Sequence, residues 1–378
     1  MNADRSTRRI ALVIPSLEFG GAERVIVRLA NYWAEAGHDV AIITLASAAH
    51  DTYELSPRVK RIALDLMQVS GNSLSAVSNN WRRIRELKRA LRNLAPDSIV
   101  SFTDRMNVVT LLAARGLGAR VIVSERVDPS RHEMGNVWSR LRRWTYPHAA
   151  GIVVQTESVR GQIAKFAGRA PIHMIPNAVD APSQEAVERA AIVKSAAKPH
   201  VVAMGRLVPQ KGFDLLIAAF ARIASEHPAW SLRILGEGPE RPRLEKQIHD
   251  TKLPGRVTLC GWAPQPESAL IGSDLFVLSS RYEGFPNALL EAMACGLPAV
   301  AFDCESGPRD IIRPEIDGLL VPPEDVESLA RAMTRLMGDA ALRTKFAASA
   351  TEVVERFSSA KFFAQWTELL DESTKCDR

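Results

Sequence analysis

Short runs of Val, Ile and Leu alternate along the chain with segments of helical periodicity, and this alternation constrains the fold more than any other feature. The first three members are a strand, "RIALVIPS", a helix, "AERVIVRLANYWAEAG", which Gly37 closes, and a second strand, "HDVAIITL". Strand–helix–strand repeats are typical of βαβ units in a mostly parallel sheet. The sequence therefore predicts an α/β protein with doubly wound sheets.

The strands fall into two series on either side of a polar stretch, residues 181–198. A chain of 378 residues is also longer than one hydrophobic core usually serves. We expect a Rossmann-like N-terminal domain over 1–176 and a second such domain over 177–356, with helical segments at 324–337 and 339–355. A terminal helix within 357–378 is expected to pack back on the first domain.

Composition excludes several classes of protein. The four cysteines, at 260, 295, 304 and 376, have neither the paired spacing of a metal site nor the density of a disulfide scaffold, which favours a reducing, cytoplasmic setting. No apolar segment approaches the roughly 20 residues that span a bilayer. The basic N-terminus precedes only a short apolar run, which we interpret as a strand rather than a signal peptide.

Charge is distributed unevenly between the two halves. Residues 1–175 hold 25 Lys and Arg against 15 Asp and Glu, whereas residues 176–378 hold 23 against 28. A basic first half attracts polyanions such as nucleic acid, anionic lipid or a phosphorylated substrate.

In open parallel sheets, ligands bind beyond the carboxyl ends of the strands, so the loops there are the candidate sites. Gly20 and Gly21 precede a helix in "PSLEFGGAE", where they leave room for an anion at the helix N-terminus or form a plain turn. The stretch "GRLVPQKG" brings Arg206 and Lys211 to the next such loop, in the second domain. Two cations at a Gly/Pro turn favour a diphosphate.

The stretch "EGFPNALLEA", residues 283–292, places one carboxylate before a turn and another in an apolar helix. Pro286 suits the first turn of a helix, which puts Glu291 about 7 Å along its axis. Glu291 needs polar partners to offset desolvation, either a pair of ligand hydroxyls or an internal ion pair such as one with Arg206. Glu283 and the backbone N–H groups from Gly284 to Asn287 could hold a second polar group.

These motifs resemble the retaining glycosyltransferases of family 4, which have the GT-B fold of two Rossmann-like domains facing a cleft. "EGFPNALLE" is similar to the family's pair of glutamates with seven residues between them. "FGGAE", "IPNAVD", "GRLVPQKGFD", "GEGPE" and "DGLLVPPED" follow in the family's order over most of the chain.

The resemblance implies a role for each candidate in the donor site. Arg206 and Lys211 would bind the donor diphosphate, Glu291 the ribose, and Glu283 the transferred sugar. The remaining donor contacts would be the other domain's Gly20 and Gly21, the base-flanking Gly261 with the neighbouring Trp262, and the backbone of Gly284, Phe285, Pro286 and Asn287. Glu283, Arg206 and Lys211 would be the catalytic residues. No cofactor or metal is implied, since front-face attack uses a donor phosphate oxygen as the base.

Candidate acceptor contacts follow strands of the first domain. They are Asp104, Arg105 and Asn107 in "SFTDRMNV", and Glu125 with Arg126. Arg126 stands where many relatives carry a histidine. The resemblance extends to transferases that lengthen lipid-linked oligosaccharides. It implies transfer of a hexose or N-acetylhexosamine from a nucleotide sugar, with UDP the expected nucleotide, to a glycan acceptor on polyprenyl diphosphate.

Two basic segments predict a peripheral site on the cytoplasmic face of the inner membrane. Residues 79–96 carry six Arg or Lys against Glu86 alone, on a helix whose apolar stripe includes Trp81 and is expected in the core. Residues 136–149 combine Arg140, Arg142 and Arg143 with Trp138 and Trp144. The alternative for these charges is a solvated helix face.

Three other functions stay open at this point. A GT-B sugar-nucleotide epimerase could bind the same donor, and a glycosyltransferase could act on a soluble acceptor. A nucleic-acid-binding protein is disfavoured because the sequence contains no recognisable reader motif.

Overall fold

A computed structural model describes residues 7–18, 20–67, 73–127, 129, 134–194 and 198–372, with the backbone alone at 73–76 and 191–194. The chain divides into two compact units. Unit 1 is Met1–Pro176 with Ala360–Arg378, and unit 2 is Asn177–Ser359. Position 376 and part of the polar stretch at 181–198 lie outside the described residues.

Unit 1 is a seven-stranded parallel sheet in the order β3-β2-β1-β4-β5-β6-β7. Its strands are β1 (Arg9–Ile14), β2 (Asp39–Thr44), β3 (Val59–Ala63), β4 (Ser98–Phe102), β5 (Arg120–Ser124), β6 (Gly151–Val154) and β7 (Ile172–Met174). Its helices are α1 (Gly21–Glu35), α2 (Ser73–Leu94), α3 (Asp104–Ala113), α4 (Asn136–Thr145) and α5 (Glu157–Ala164).

Unit 2 is a six-stranded parallel sheet in the order β10-β9-β8-β11-β12-β13. Its strands are β8 (His200–Met204), β9 (Ser231–Leu235), β10 (Val257–Gly261), β11 (Leu275–Leu278), β12 (Ala299–Phe302) and β13 (Gly318–Val321). Its helices are α6 (Gln184–Lys194), α7 (Phe213–Ile223), α8 (Arg241–Asp250), α9 (Glu267–Ile271), α10 (Asn287–Ala294), α11 (Pro308–Ile311), α12 (Val326–Gly338), α13 (Ala340–Ala350) and α14 (Val353–Arg356).

Both sheets bury their central strands on two faces, as parallel sheets covered by helices require. Strands β4, β6, β11 and β12 are buried along their whole length. This explains why the sequence shows continuous apolar runs there rather than alternation. The predicted α/β class with doubly wound sheets is confirmed.

The last helix, α15 (Ser359–Asp371), packs on unit 1. Its Trp366 is fully buried, with ring centroids 6.3 Å from Trp33 and 5.9 Å from Phe102. The indole nitrogen of Trp33 donates to the hydroxyl of Thr367 over 3.3 Å. The helix therefore completes the aromatic core of unit 1.

Two details differ from the sequence prediction. Strand β3 was not predicted, because "VKRIA" alternates charge with apolar residues at the edge of the sheet. The helix predicted over 339–355 is two helices, α13 and α14, with Thr351 and Glu352 between them.

Candidate functional site

The strand order of unit 2 creates a switch point between β8 and β11. From β8 the chain continues to β9 on one side, and from β11 it continues to β12 on the other. The loops that follow these two neighbouring strands therefore diverge and leave a crevice at their carboxyl ends. Residues 205–212 form the first loop and residues 279–286 the second.

Glycines shape the loop after β8. A short 3₁₀ turn, Pro209–Lys211, ends at Gly212, whose φ is +60°. A Cβ at Gly212 would lie 2.0 Å from the carbonyl oxygen of Ser279, so this position requires glycine. A Cβ at Gly205 would come within 3.3 Å of the Lys211 side chain, which therefore lies against the bare backbone.

The two loops meet in an ion pair between predicted site residues. The ammonium of Lys211 lies 2.6 Å from Oε1 of Glu283, and both side chains are largely buried. The hydroxyl of Ser280 donates to the same oxygen over 2.6 Å. The pair brings one cation and one carboxylate together at the switch point.

Side chains outside the predicted set brace this pair. Arg281 binds Asp214 through two hydrogen bonds of 2.9 and 2.8 Å and also donates to the carbonyl of Pro209. Gln210 donates to the carbonyl of Tyr282 over 3.0 Å. Burial raises the pKa of Asp214, but the hydrogen bonds and charge of Arg281 outweigh it, so the net pKa is lowered.

Helix α10 begins at Asn287, directly after Pro286, as predicted. Glu291 is its fifth residue and is half-buried, with Leu290 and Ala292 buried on either side. Arg206, in contrast, is exposed, and no described residue forms an ion pair with it. The alternative in which Arg206 neutralises Glu291 is therefore not observed.

The backbone from Gly284 to Asn287 is held from two directions. The hydroxyl of Ser306 donates to the carbonyl of Gly284 over 2.9 Å, and Phe285 packs edge-on against Phe357. Asn177 donates to the side-chain oxygen of Asn287 over 2.6 Å. The turn before α10 is therefore rigid, which suits a site that binds through main-chain groups.

Gly261 ends β10, and its neighbour Trp262 is half-exposed. Gly236 donates its N–H to the carbonyl of Gly261 over 2.7 Å, so the loops after β9 and β10 are joined. A Cβ at Gly236 would lie 1.9 Å from the carbonyl of Gly205. The glycines of "GEGPE" thus allow the loops after β8, β9 and β10 to lie against one another.

Unit 1 has its own switch point, between β1 and β4. The loop after β1 leads through Gly20 to Gly21, the first residue of α1. The hydroxyl of Tyr53 donates to the carbonyl of Gly20 over 2.9 Å. After β4, Thr103 has a φ of +75°, which is strained for a β-branched residue, and it leads into Asp104 and the exposed Arg105 on α3.

The other acceptor candidates, Asn107, Glu125 and Arg126, lie in the interior of unit 1. Asn107 is fully buried and donates to the carbonyl of Ser124 and the hydroxyl of Tyr146, over 3.0 and 3.1 Å. Arg126 is buried with its guanidinium carbon 3.9 Å from the ring centroid of Phe102 and 5.9 Å from that of Trp366. Burial lowers the pKa of Arg126 to about 9. This placement favours a structural role for Asn107 and Arg126.

A buried polar cluster adjoins them. Tyr146 donates to the carboxylate of Glu125, and Arg142 lies 3.8 Å from the same carboxylate. Burial and then the charge of Glu125 raise the pKa of Tyr146. The prediction that Arg142 belongs to a surface basic segment is wrong, because the alternation of Arg with Trp on α4 does not show which side of the helix faces the core.

Helices α2 and α4 present cations beside exposed apolar side chains. A cavity of about 390 Å³ on α2 is lined by Arg85, Lys88, Arg89 and Arg92. Lys88 donates to the carbonyl of Arg115, whose guanidinium lies 4.7 Å from the ring centroid of Trp144 on α4. We call this the basic-aromatic surface and define it by Trp81, Arg85, Lys88, Arg89, Arg92, Arg115, Arg143 and Trp144.

Trp81 does not join the core, contrary to the prediction. It is 70% exposed, as Val77 is at 62%, whereas Leu87 and Leu91 are completely buried. A helix of 22 residues is about 33 Å long, and its first half extends past the buried cluster that its second half covers.

Two further searches cover only the described part of the chain. No group of three or more His, Cys, Asp or Glu is arranged to hold a metal ion. No helix has both the length and the apolar composition that a bilayer crossing needs.

Two doubly wound units, the second with an ion pair at its switch point, define the GT-B architecture. The family model for glycosyltransferase family 4 matches residues 19–182, and the model for glycosyl transferases group 1 matches residues 184–353. The chain therefore belongs to the glycosyltransferase family that these two models describe, one for each half of the chain.

Curated relatives point the same way. The lipopolysaccharide core biosynthesis glycosyltransferase LpsE of Rhizobium meliloti is 30% identical to this chain. The match covers 93% of this chain and 96% of LpsE. An exopolysaccharide phosphotransferase of Streptomyces coelicolor is 32% identical over 94% of this chain, which spans only 40% of that protein. A Campylobacter jejuni α-1,4-N-acetyl-D-galactosaminyltransferase, named for a diphospho-undecaprenol-linked glycan, is 24% identical over 96% of this chain and 98% of its own.

Solved structures share the fold. Sucrose-phosphate synthase from Thermosynechococcus elongatus has a TM-score of 0.86 at 22% identity over 97% of this chain and 99% of its own. Anabaena HepE in complex with UDP has a TM-score of 0.78 at 20% identity, over 96% and 100% respectively. These likenesses show that the chain shares the fold of these structures.

Proposed function

We propose that the chain is a retaining glycosyltransferase that moves a hexose or N-acetylhexosamine from a UDP-sugar to a hydroxyl of a glycan on polyprenyl diphosphate. The observation that carries this proposal is the Lys211–Glu283 pair at the switch point of unit 2, directly before the N-terminus of α10. The UDP complex of HepE and the lipid-linked substrate named for the Campylobacter enzyme support the choice of donor and acceptor.

The donor would lie along the loops of unit 2. Lys211 and the exposed Arg206 supply positive charge for the diphosphate, and the carboxylate of Glu291 accepts hydrogen bonds from the ribose hydroxyls. Glu283 and the backbone of Gly284 to Asn287 would contact the sugar, and Gly261 with Trp262 would flank the base.

Glu283 is poorly suited to act as a covalent nucleophile, because the ammonium of Lys211 and the hydroxyl of Ser280 draw the charge of the whole carboxylate towards Oε1 and so lower its nucleophilicity. We propose front-face attack instead. The acceptor oxygen bonds to the anomeric carbon as the bond to the diphosphate breaks, and a donor phosphate oxygen takes the acceptor proton. Arg206 and Lys211 stabilise the charge that develops on the leaving diphosphate. No metal ion or cofactor has a role in this proposal.

We propose Asp104 and Arg105 as the acceptor contacts among the candidates. They lie at the start of α3, beyond the carboxyl end of β4 and beside the unit 1 switch point, where ligands bind in sheets of this type. Asn107 and Arg126 would act through the fold of unit 1.

The basic-aromatic surface would hold unit 1 on anionic lipid at the cytoplasmic face of the inner membrane. Each cation near such a surface contributes on the order of 1 kcal/mol, and Trp side chains suit the interface. Trp81 and Trp144 are 70% and 50% exposed, beside the cations of α2 and of Arg115. A peripheral enzyme of this kind would meet its lipid-linked acceptor at the membrane.

Mass measurement of products tests the transfer. The chain is screened by thermal shift against UDP- and GDP-sugars and then incubated with the stabilising donor and a polyprenyl-diphosphate glycan. We expect one sugar added to the glycan with retained anomeric configuration and no loss of rate in EDTA. An epimerised donor without transfer would favour a sugar-nucleotide epimerase instead, and transfer only to a soluble glycan would remove the lipid-linked acceptor.

Vesicle flotation tests the membrane surface separately. Wild type should float with anionic vesicles and not with neutral ones, and replacing Arg85, Lys88, Arg89 and Arg92 by serine should abolish flotation. A control variant replaces four exposed arginines of unit 2, Arg222, Arg243, Arg331 and Arg335. Equal binding to both vesicle types, or loss in both variants, would contradict the assigned surface.

A further inference from the structure

We propose that Ser280 is a positioning residue for Glu283. Its hydroxyl holds one carboxylate oxygen so that the other faces a hydroxyl of the donor sugar. This inference rests on the proposed function, because it assumes that the switch point of unit 2 binds a nucleotide sugar.

Two donors converge on the same oxygen of Glu283. The Ser280 hydroxyl and the Lys211 ammonium each lie 2.6 Å from Oε1. Ser280 is 1% exposed and Glu283 is 6% exposed, so water competes little with either contact. No described residue donates a hydrogen bond to Oε2 of Glu283. A buried carboxylate with one oxygen bound twice has its remaining acceptor capacity on the other oxygen.

The ammonium of Lys211 alone does not fix the carboxylate. It is a compact charge on a flexible stem and accepts many geometries, whereas a short hydroxyl–carboxylate bond from a buried serine restricts the rotation of the carboxylate. Ser280 is also three residues before Glu283, so this bond closes the turn between them.

The neighbouring serine secures the other partner of the pair. The hydroxyl of Ser279 donates to the main-chain carbonyl of Lys211 over 2.9 Å. The two serines after β11 therefore hold Lys211 by its backbone and Glu283 by its side chain. Both serines directly follow β11, a strand buried in the sheet, so their positions are fixed by the sheet. Their hydrogen bonds in turn fix the positions of Lys211 and Glu283.

Loss of the Ser280 hydroxyl should affect the contact with the sugar and not the contacts with UDP. A Glu283 carboxylate that rotates freely loses its contact with a sugar hydroxyl, while the diphosphate and nucleoside keep theirs. Removing the Ser280 hydroxyl should therefore weaken use of the whole donor and leave binding of UDP unchanged.

The test compares Ser280→Ala with wild type, using the UDP-sugar that supports transfer and UDP as the sugar-free probe. We expect kcat/KM for the donor to fall about tenfold, as loss of a bond to a charged group implies, with the Kd for UDP within about twofold. In a Glu283→Gln background, Ser280→Ala should cost little more, because the two changes remove the same contact.

Ser328→Ala is the matched control. Ser328 also donates to a carboxylate, that of Asp325, over 2.6 Å, but at the N-terminus of α12. Its kinetics should match wild type. Ser280→Thr, which keeps the hydroxyl, should restore most of the rate if Ser280→Ala unfolds on thermal melting.

Three results would overturn the inference: an unchanged kcat/KM in Ser280→Ala, an equal loss of UDP affinity, or full additivity with Glu283→Gln. A wild-type chain that neither binds UDP nor transfers a sugar would instead refute the proposed function, and the inference with it.

Discussion

The two units share one topology but differ in what lies at their switch points. In unit 2 the loops after β8 and β11 bring ionisable side chains together, and Lys211 and Glu283 form a largely buried ion pair. In unit 1 the loops after β1 and β4 contribute glycine backbone at Gly20 and a strained backbone at Thr103, followed by Asp104 and the exposed Arg105. Its ionisable residues Glu125, Arg126 and Arg142 are turned into the interior.

A doubly wound sheet fixes where a site lies, while the side chains in the loops decide its chemistry. Unit 2 has charge at its switch point, as a diphosphate ligand requires. Unit 1 presents cations on α2 and α4, and the guanidinium of its buried Arg126 lies 5.9 Å from the ring centroid of Trp366 on α15.

Lys211→Ala should have the largest effect, because it removes a diphosphate contact and leaves Glu283 buried without its cation. We expect donor kcat/KM to fall at least about tenfold and the free energy of unfolding to fall by roughly 3 kcal/mol. Steady-state kinetics and urea unfolding measure the two. Adding Glu283→Gln should restore stability but not activity. If Lys211→Ala showed wild-type kinetics, the proposal that Lys211 binds the donor diphosphate in unit 2 would be wrong.

Glu291→Ala should reduce donor use by about tenfold or more, since a charge-assisted contact to the ribose is lost. Glu327→Ala is the matched control, because Glu327 is an exposed carboxylate on α12 that pairs with Arg222 and Arg331. Its kinetics should be normal. If the two variants behave alike, Glu291 does not bind the donor.

Arg126→Gln and Arg105→Ala together should distinguish a residue that stabilises unit 1 from a residue that binds the acceptor. Loss of the guanidinium over Phe102 and Trp366 should lower the free energy of unfolding by roughly 1–2 kcal/mol. Arg105→Ala should instead raise the acceptor KM severalfold at unchanged stability. Thermal melts and acceptor titrations distinguish them. If Arg126→Gln melted at the wild-type temperature but had a raised acceptor KM, Arg126 would have to be assigned to the acceptor site.

Acidification should weaken unit 2 through Asp214, although the effect is small. Its folded pKa lies below the ordinary value of 3.8, so its contribution to stability is present above that value and is lost as the pH falls through the folded pKa. The stability difference between wild type and Asp214→Asn should therefore shrink on acidification below about pH 4. A difference that stays constant with pH would show that the Asp214–Arg281 pair contributes nothing through ionisation.

The sequence predicted most of the fold because its signals are local and periodic. Strand runs such as "DLFVLSS" are buried on both faces, and Pro286 with Gly296 brackets α10, so element type could be assigned from neighbouring residues. The edge strand β3 was missed for the same reason, since half-exposed "VKRIA" gives a weak pattern.

From the sequence, the candidate site could be predicted only as a set of residues in the loops that follow strands. Arg206, Lys211 and Glu283 were predicted because each lies in a loop after a strand, and Glu291 because it is a carboxylate among the apolar residues of a helix. Their roles in binding a donor stay predictions. Ser280, Arg281 and Asn177 were missed, because a serine or arginine after a strand is ordinary until its partner is known. The double serine after "DLFVL" was the one local signal.

By itself the sequence determined the α/β class, the two strand series, the family motifs and the excess of positive charge in the first half. Only the tertiary structure decided which charges meet and which are buried. It paired Lys211 with Glu283 and turned Arg126 and Arg142 inward, while Trp81 was left exposed. The physical reason is that helical and strand periodicities are set by adjacent residues, whereas burial and ion pairing depend on residues far apart in the chain.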